Sequence, residues 1–235
     1  MTNKTEISSI LKNSKNLVDI FNFYVNKKPH HKVFFLKKNN NWIPNSFFET
    51  KKRIEKIKNY FLNSGIKTGD RVFLLSNNRL EWVEFDLAIM SVGAITVPSF
   101  VTNNQHDNSF IINDCKPKFL VLENESIYEK NKSFLKINQT KIITIETSSK
   151  FENYNNILNK NTKTKVKTSL VKKKQISSII YTSGTTGDPK GVVLTHESIM
   201  HNLFGALEIM DEFNLDKERF ISFLPLSHSY ERMAG

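Results

Sequence analysis

Leu17, Ile20, Phe21 and Tyr24 recur at three- and four-residue spacing and lay one apolar stripe along a helix. Val33 to Leu36 and Trp42-Ile43 then read as a short hairpin folded about Asn39-Asn40-Asn41. Ser46-Phe47-Phe48-Glu49 has capping-box spacing, so the Ser46 and Glu49 side chains can satisfy the first free amides of a second helix. Ile54, Ile57, Phe61 and Leu62 continue that helix, and Gly65 stands where a left-handed residue would end it. Arg71 to Leu75 has the continuous apolar character of a buried strand. Asn78 is placed to cap a helix carrying Leu80, Val83, Leu87 and Met90, which closes near Gly93.

The alternation continues. Ile95-Thr96-Val97 predicts a strand, Phe110-Ile111-Ile112 a helix, and Lys118 to Leu122 a strand. After another short helix, Lys141 to Ile145 predicts a further strand. Residues 146–175 lose periodicity and read as a basic surface connection. Strands at Ile176–Tyr181 and Val192-Val193-Leu194 flank a glycine-rich tract. A helix with Ile199, Leu203, Ala206, Leu207 and Met210 follows, and a last strand spans Phe220–Leu224. Repeated β-then-α units predict an α/β fold, a mainly parallel sheet flanked by helices.

Composition narrows the function classes. Of 235 residues, 39% are hydrophobic and 24% charged, so a sizeable core can form. The single cysteine, Cys115, excludes an intramolecular disulfide framework and a multi-cysteine metal site. Met1 to Asn13 lacks the basic-then-apolar order of a secretory signal, and Leu87–Val97 is too short for a membrane span. A soluble, cytoplasmic chain is expected. The net charge of +11 invites a nucleic-acid reading, but it is concentrated between Lys150 and Gln175, where eight lysines face a single acid, Glu152. Arginine, the usual reader of bases and clamp of phosphates, occurs only five times in the chain. The lysine run therefore reads as a solvated connection, with no nucleic-acid partner expected.

The glycine-rich tract carries the chemistry. Three of the eight glycines fall between Gly184 and Gly191. Thr182, Ser183, Thr185 and Thr186 supply hydroxyl donors around Gly184 and Gly187, and Lys190 adds a mobile cation. Glycine lets backbone amides approach an anion closely, so the set suits a polyphosphate. It is not a Walker A loop, because Lys190 follows Pro189 and precedes Gly191.

Tyr181 to Leu194, YTSGTTGDPKGVVL, closely resembles the phosphate-loop signature of the AMP-forming acyl-CoA synthetase, luciferase and adenylation-domain superfamily. Gly69 to Val72, Asn78 to Trp82 and Gly93 to Pro98 look like earlier landmarks of that family. Leu224 to Arg232, LPLSHSYER, is similar to the second signature of its long-chain fatty-acid branch. The resemblance spans almost the whole chain apart from the first residues and the basic run. Lys172-Lys173-Lys174 depart from it, standing where members often carry an acid.

The resemblance implies the N-terminal part of a long-chain fatty-acid–CoA ligase. A fatty carboxylate attacks the α-phosphate of ATP, pyrophosphate leaves, and coenzyme A then displaces AMP from the acyl-adenylate. Position by position it assigns phosphate holding to Thr182, Ser183, Gly184, Thr185, Thr186, Gly187 and Lys190. Lys190 and His228 take catalytic roles, while His228 and Glu231 fall in the substrate pocket. ATP, Mg2+ and coenzyme A are implied, the main Mg2+ ligand being expected beyond residue 235 together with the ribose-gripping aspartate and the catalytic lysine. The 235-residue chain is accordingly read as a partial N-terminal domain lacking a C-terminal domain, inactive by itself. A fatty substrate leaves room for peripheral membrane contact, and the oligomeric state stays open. An aryl- or amino-acid-adenylating enzyme and a non-catalytic nucleotide-binding remnant are the alternatives.

The other candidates are weaker. Glu231 and Arg232 also fit a simple ion pair within their loop. His196 and His201 are five apart, out of phase for a helical zinc pair, and read as helix residues behind an N-cap at Thr195. Cys115 has no nucleophilic setting and reads as buried or neutral. No G-x-S-x-G elbow supports a serine hydrolase.

Overall fold

Two helices, α1 (Lys4–Asn13) and α2 (Leu17–Lys27), open the computed structural model, which describes residues 4–132, 140–160, 170–184, 187–209 and 219–234. The polar run that forms α1 lacks the apolar stripe that betrays α2 in the sequence. The hairpin of β1 (Lys32–Lys38) and β2 (Asn41–Ser46) turns through Asn39 and Asn40, both with positive φ, 48° and 61°. Asparagine tolerates that conformation better than other side-chain-bearing residues.

Helix α3 (Phe47–Asn63) starts on the expected capping box, Ser46 Oγ accepting from the Glu49 amide at 3.2 Å and Glu49 Oε2 accepting from the Ser46 amide at 2.7 Å. It ends at Gly65, whose φ of +83° only glycine adopts without strain. There follow β3 (Arg71–Leu75), α4 (Leu80–Ser91), β4 (Ile95–Ser99), α5 (Gln105–Cys115), β5 (Phe119–Leu122), α6 (Glu125–Asn131) and β6 (Lys141–Thr144). Two short elements, β7 (Glu152–Asn153) and α7 (Tyr154–Asn159), lie inside the region read as a bare connection. Tyr154 and Ile157 are buried there, so residues 152–159 belong to the sheet edge and the core beneath it, which corrects that reading. The run is too short for periodicity to reveal it.

Seven strands, completed by β8 (Ile176–Gly184) and β9 (Gly187–Thr195), form one sheet in the order β7-β6-β5-β3-β4-β8-β9. Every pairing is parallel except β8 with β9. Alternate residues of each strand enter opposite layers, as a two-residue period requires. Val72, Leu74, Phe119 and Val121 pack with Ile54, Ile57 and Phe61 of α3, with Phe85 of α4 and with Ile157 of α7. Phe73, Leu75, Leu120 and Leu122 pack on the other face with Ile111 and Cys115 of α5. Helices α8 (His196–Ile209) and α9 (Ser229–Ala234) complete the described chain. Among the described residues no helix is long and apolar enough to cross a membrane.

Candidate functional site

The tract read as a loop is the far half of a long hairpin. β8 runs on to Gly184 and β9 starts at Gly187, with Tyr181 opposite Gly191 and Thr182 opposite Lys190. β8 pairs with β4 at Ser178 and Thr96, so it passes the last residue of β4, Ser99, near Tyr181. The remaining three residues project roughly 10 Å beyond the carboxyl edge of the parallel sheet. The exposed Thr182 and Lys190 leave the same face of the hairpin as cross-strand partners. Ser183 and Gly184 end β8 and Gly187 opens β9, while Thr185 and Thr186 lie outside the described residues.

Two glycines and one ring shape this hairpin. Gly187 has a φ of +126°, where a side chain would be strained. Gly191 permits close packing, because a Cβ there would sit 3.0 Å from Ile179 Cγ2 and 3.1 Å from Tyr181 Cζ. The Tyr181 ring fills that space, and its hydroxyl donates to Asp114 at the end of α5. Burial and the Asp114 carboxylate push the Tyr181 phenol above its usual range, so it remains a donor. Asp114 thus braces the hairpin where it leaves the sheet, a role its sequence neighbours do not signal.

The second signature differs from expectation. Phe220–Leu224 forms no regular strand, and Phe220, Ile221 and Phe223 are exposed. Its apolar pattern meets no neighbouring strand among the described residues, and β structure needs such a partner. Asn78 holds the segment instead of capping α4. The N-cap of α4 is Arg79, with no side-chain capping bond. Asn78 Oδ1 accepts from the Leu226 amide at 2.8 Å, while its Nδ2 donates to the Leu224 carbonyl at 2.6 Å and to Ser222 Oγ at 3.2 Å. The segment is thereby fixed just past the carboxyl end of β3, on the sheet edge from which the hairpin projects.

His228 is exposed, its amide donating to the Pro225 carbonyl at 2.8 Å and its Nδ1 accepting from the Tyr230 amide at 3.2 Å. Glu231 is buried. Arg232 does not pair with Glu231, so the ion pair within the loop is not what this residue makes. It reaches Asp86 of α4 as a fork, Nε to Oδ2 at 2.8 Å and Nη2 to Oδ1 at 2.6 Å, and the Thr96 hydroxyl donates to the same Asp86 Oδ1 at 2.6 Å. A planar guanidinium matches a carboxylate in that way and an ammonium does not.

His196, the first residue of α8, lies in the same buried region, and Thr195 caps the helix by accepting from the Ser198 amide at 3.0 Å. His196 Nδ1 accepts from the Leu17 amide at 3.4 Å, which leaves the ring proton on Nε2. Burial, reinforced by the Arg232 charge, lowers its pKa to about 4. Burial pushes the Cys115 thiol up to about 12, in keeping with a neutral residue.

The crevice between β3 and β5, where the strand order reverses and open α/β sheets commonly take ligands, is crossed by charge. Arg79 pairs with Glu81, Glu123 and Glu146, and Glu123 also accepts from the Asn77 amide and side chain at 2.7 and 2.8 Å. That network leaves the hairpin side of the edge as the candidate anion site. Its donors are hydroxyls, amides and one ammonium, which suit phosphate oxygens and not a dication. Among the described residues no group of three histidines, cysteines or acids could hold a metal ion. In the basic run, Lys150 pairs with Glu129 at 2.7 Å, Lys160 with Glu152, and Lys173 reaches the Lys12 carbonyl at 3.0 Å.

A family model described as AMP-binding enzyme matches residues 21–235. A long-chain-fatty-acid–CoA ligase of Mycobacterium tuberculosis is 29% identical over 184 residues, covering 73% of this chain and 30% of that protein. Long chain acyl-CoA synthetase 3 of Arabidopsis thaliana is 27% identical over 237 residues, covering 92% of this chain and 36% of that protein. The chain thus spans about a third of the length of these relatives. Among solved structures, one described as a long-chain-fatty-acid CoA ligase from Rhodopseudomonas palustris superposes with a TM-score of 0.76 at 20% identity, over 94% of this chain and 55% of that one. A fatty acyl-adenylate ligase from L. pneumophila, solved with acyl adenylate and pyrophosphate, gives 0.71 at 22% identity, over 93% and 36%. At such identities the structural likeness establishes the shared fold alone.

Proposed function

Because the chain belongs to the AMP-binding enzyme family, we propose that it supplies the phosphate-holding and carboxylate-facing part of an AMP-forming acid–thiol ligase that activates long-chain fatty acids. The observation that carries this reading is the projecting hairpin, which sets Thr182 opposite Lys190 beyond the carboxyl edge of the sheet, both exposed on one face. Thr182, Ser183, Thr185, Thr186 and the amides around Gly184 and Gly187 hold the β- and γ-phosphates of ATP. Lys190 neutralises charge as the carboxylate displaces pyrophosphate from the α-phosphorus. Donors fixed before the reaction lower the barrier because they need no reorganisation as charge moves. His228 faces the carboxylate and the adenylate, Glu231 lines the acyl side, and coenzyme A takes the acyl group in the second step. Mg2+ would supply further charge neutralisation on the phosphates, but the hairpin's hydroxyls, amides and ammonium do not fit it.

The long-chain preference rests on the likeness of Ser227 to Arg232 to that branch and on the long-chain relatives. ATP–pyrophosphate exchange by the natural protein, with fatty acids set against aryl and amino acids, tests it. Exchange driven by a fatty acid is expected. Exchange driven only by aryl or amino acids would move the protein to another adenylating class. Pyrophosphate binding without exchange would leave a nucleotide-binding remnant.

A further inference from the structure

Two polar anchors, one just before α4 and one inside it, hold the His228 segment. Upstream, Pro225 has no amide hydrogen, and the backbone groups on either side of it, the Leu224 carbonyl and the Leu226 amide, have no strand to pair with among the described residues. The Asn78 amide takes the place of a neighbouring peptide, offering one donor and one acceptor in one plane at 2.6 and 2.8 Å. Downstream, the fork from Arg232 to Asp86 is buried, with side-chain exposures of 8% and 7%. A charged residue that far from water stays where its partner is.

Asn78 precedes α4 by two residues and Asp86 lies inside it, so the two anchors flank the first two turns of one helix. Helix α4 is rigid, because Trp82, Phe85, Ala88 and Ile89 are buried in the core. Between the anchors the segment packs through Leu226, which joins the core of Trp82 and Phe85, while Ser227 and Glu231 are also buried. Phe223 and Tyr230 are exposed, and only Leu226 and Ser227 turn inward between Phe220 and Tyr230. The His228 side chain makes only a local bond to Tyr230, so its position follows from how the two anchors and the inward Leu226 hold the backbone on either side.

We propose that Asn78 and Asp86 are positioning residues that hold the His228 imidazole at the carboxyl edge beside the phosphate-holding hairpin. The role rests on the reading of His228 as a carboxylate-facing residue, while the geometry stands without it. Neither residue touches substrate in this scheme; each acts through the backbone or through Arg232.

The test reads the imidazole directly, without any ligand, in the full 235-residue chain labelled with 15N-histidine. Long-range nitrogen–proton spectra should give His228 as one tautomer with its proton on Nε2, because Nδ1 accepts from Tyr230. In Asn78→Ala and in Asp86→Asn the ring signals should move toward the averaged tautomers of a free histidine. The Tyr230 amide should exchange roughly tenfold faster in both. Asn77→Ala breaks the bond to Glu123 and not the anchor, so it should lower stability while leaving both readings in place. A folded Asn78→Ala chain with unchanged ring and exchange, an equal response to Asn77→Ala, or a wild-type ring already averaged would each overturn the proposal. If Asn78→Ala does not fold, Asn78→Asp, which keeps the acceptor toward Leu226 and loses the donor toward Leu224, is judged by the same criteria. Failure here leaves the phosphate site untouched, and loss of pyrophosphate binding at the hairpin leaves the anchors untouched.

Discussion

Acidification should destabilise the protein through His196. In the folded chain the ring is buried and its pKa falls to about 4, from an ordinary value of 6.5, because burial disfavours the imidazolium and Arg232 repels it. Asp86 and Asp19 act in the opposite direction but do not outweigh these effects. A depressed histidine pKa means that the unfolded chain binds more protons between the two values. The stability contribution is then present above pH 6.5 and is lost as pH falls toward 4. Linkage puts the loss between pH 7.5 and 4.5 at roughly 2.5 kcal/mol.

Glu84 works in the opposite sense. Burial raises its carboxyl to about 7, so its contribution is full below the ordinary 4.5 and fades as pH rises through 7. The clean quantity is therefore the difference between wild type and His196→Asn, whose amide oxygen can replace Nδ1 as acceptor but does not titrate. Urea unfolding at four pH values from 7.5 to 4.5 should show the stability difference shifting toward the variant by roughly 2.5 kcal/mol. Parallel profiles would refute the burial argument.

Three further outcomes follow from the site. Lys190→Ala in a protein competent for adenylation should lower the adenylation kcat by about 2–4 kcal/mol in barrier with little change in KM, and should spare thioester formation from synthetic acyl-adenylate; stopped-flow measurement of each half-reaction checks it, and equal slowing of both would mean a folding role. Gly191→Ala should cost about 1–3 kcal/mol in thermal unfolding, because the new methyl meets Ile179 and a Tyr181 ring held by Asp114; an unchanged Tm would mean that the ring moves freely. Replacing Lys172, Lys173 and Lys174 by Gln should leave no change in nucleic-acid retention at physiological salt, since the run lacks aromatic–arginine interleaving; tight binding abolished by the change would reverse that reading.

The layered fold was legible because its signals are local. Ser46 with Glu49 marks one helix start, Gly65 its end, and the doublet Asn39-Asn40 a turn, each a property of a few adjacent residues. The hairpin was not legible as a shape. A Ser/Thr/Gly tract looks like a loop until Tyr181 is seen opposite Gly191 and the strands extend to its tip. Long-range pairing decided what stayed hidden. Asn78 looks like a helix cap in sequence, yet its amide is taken by a segment 146 and 148 residues away. Arg232 sits next to Glu231, yet it pairs with Asp86 at a separation of 146 residues. The apolar run Phe220–Leu224 reads as a strand because periodicity cannot report whether a partner strand is there.

Whether the hairpin tip holds phosphate is measured most directly by titrating pyrophosphate into the 15N-labelled chain and following backbone amides. The account predicts saturable shifts confined to Thr182 through Lys190 and sharply weakened in Lys190→Ala. Shifts centred on Lys172 to Lys174 instead, or a hairpin that does not respond at any pyrophosphate concentration, would contradict it.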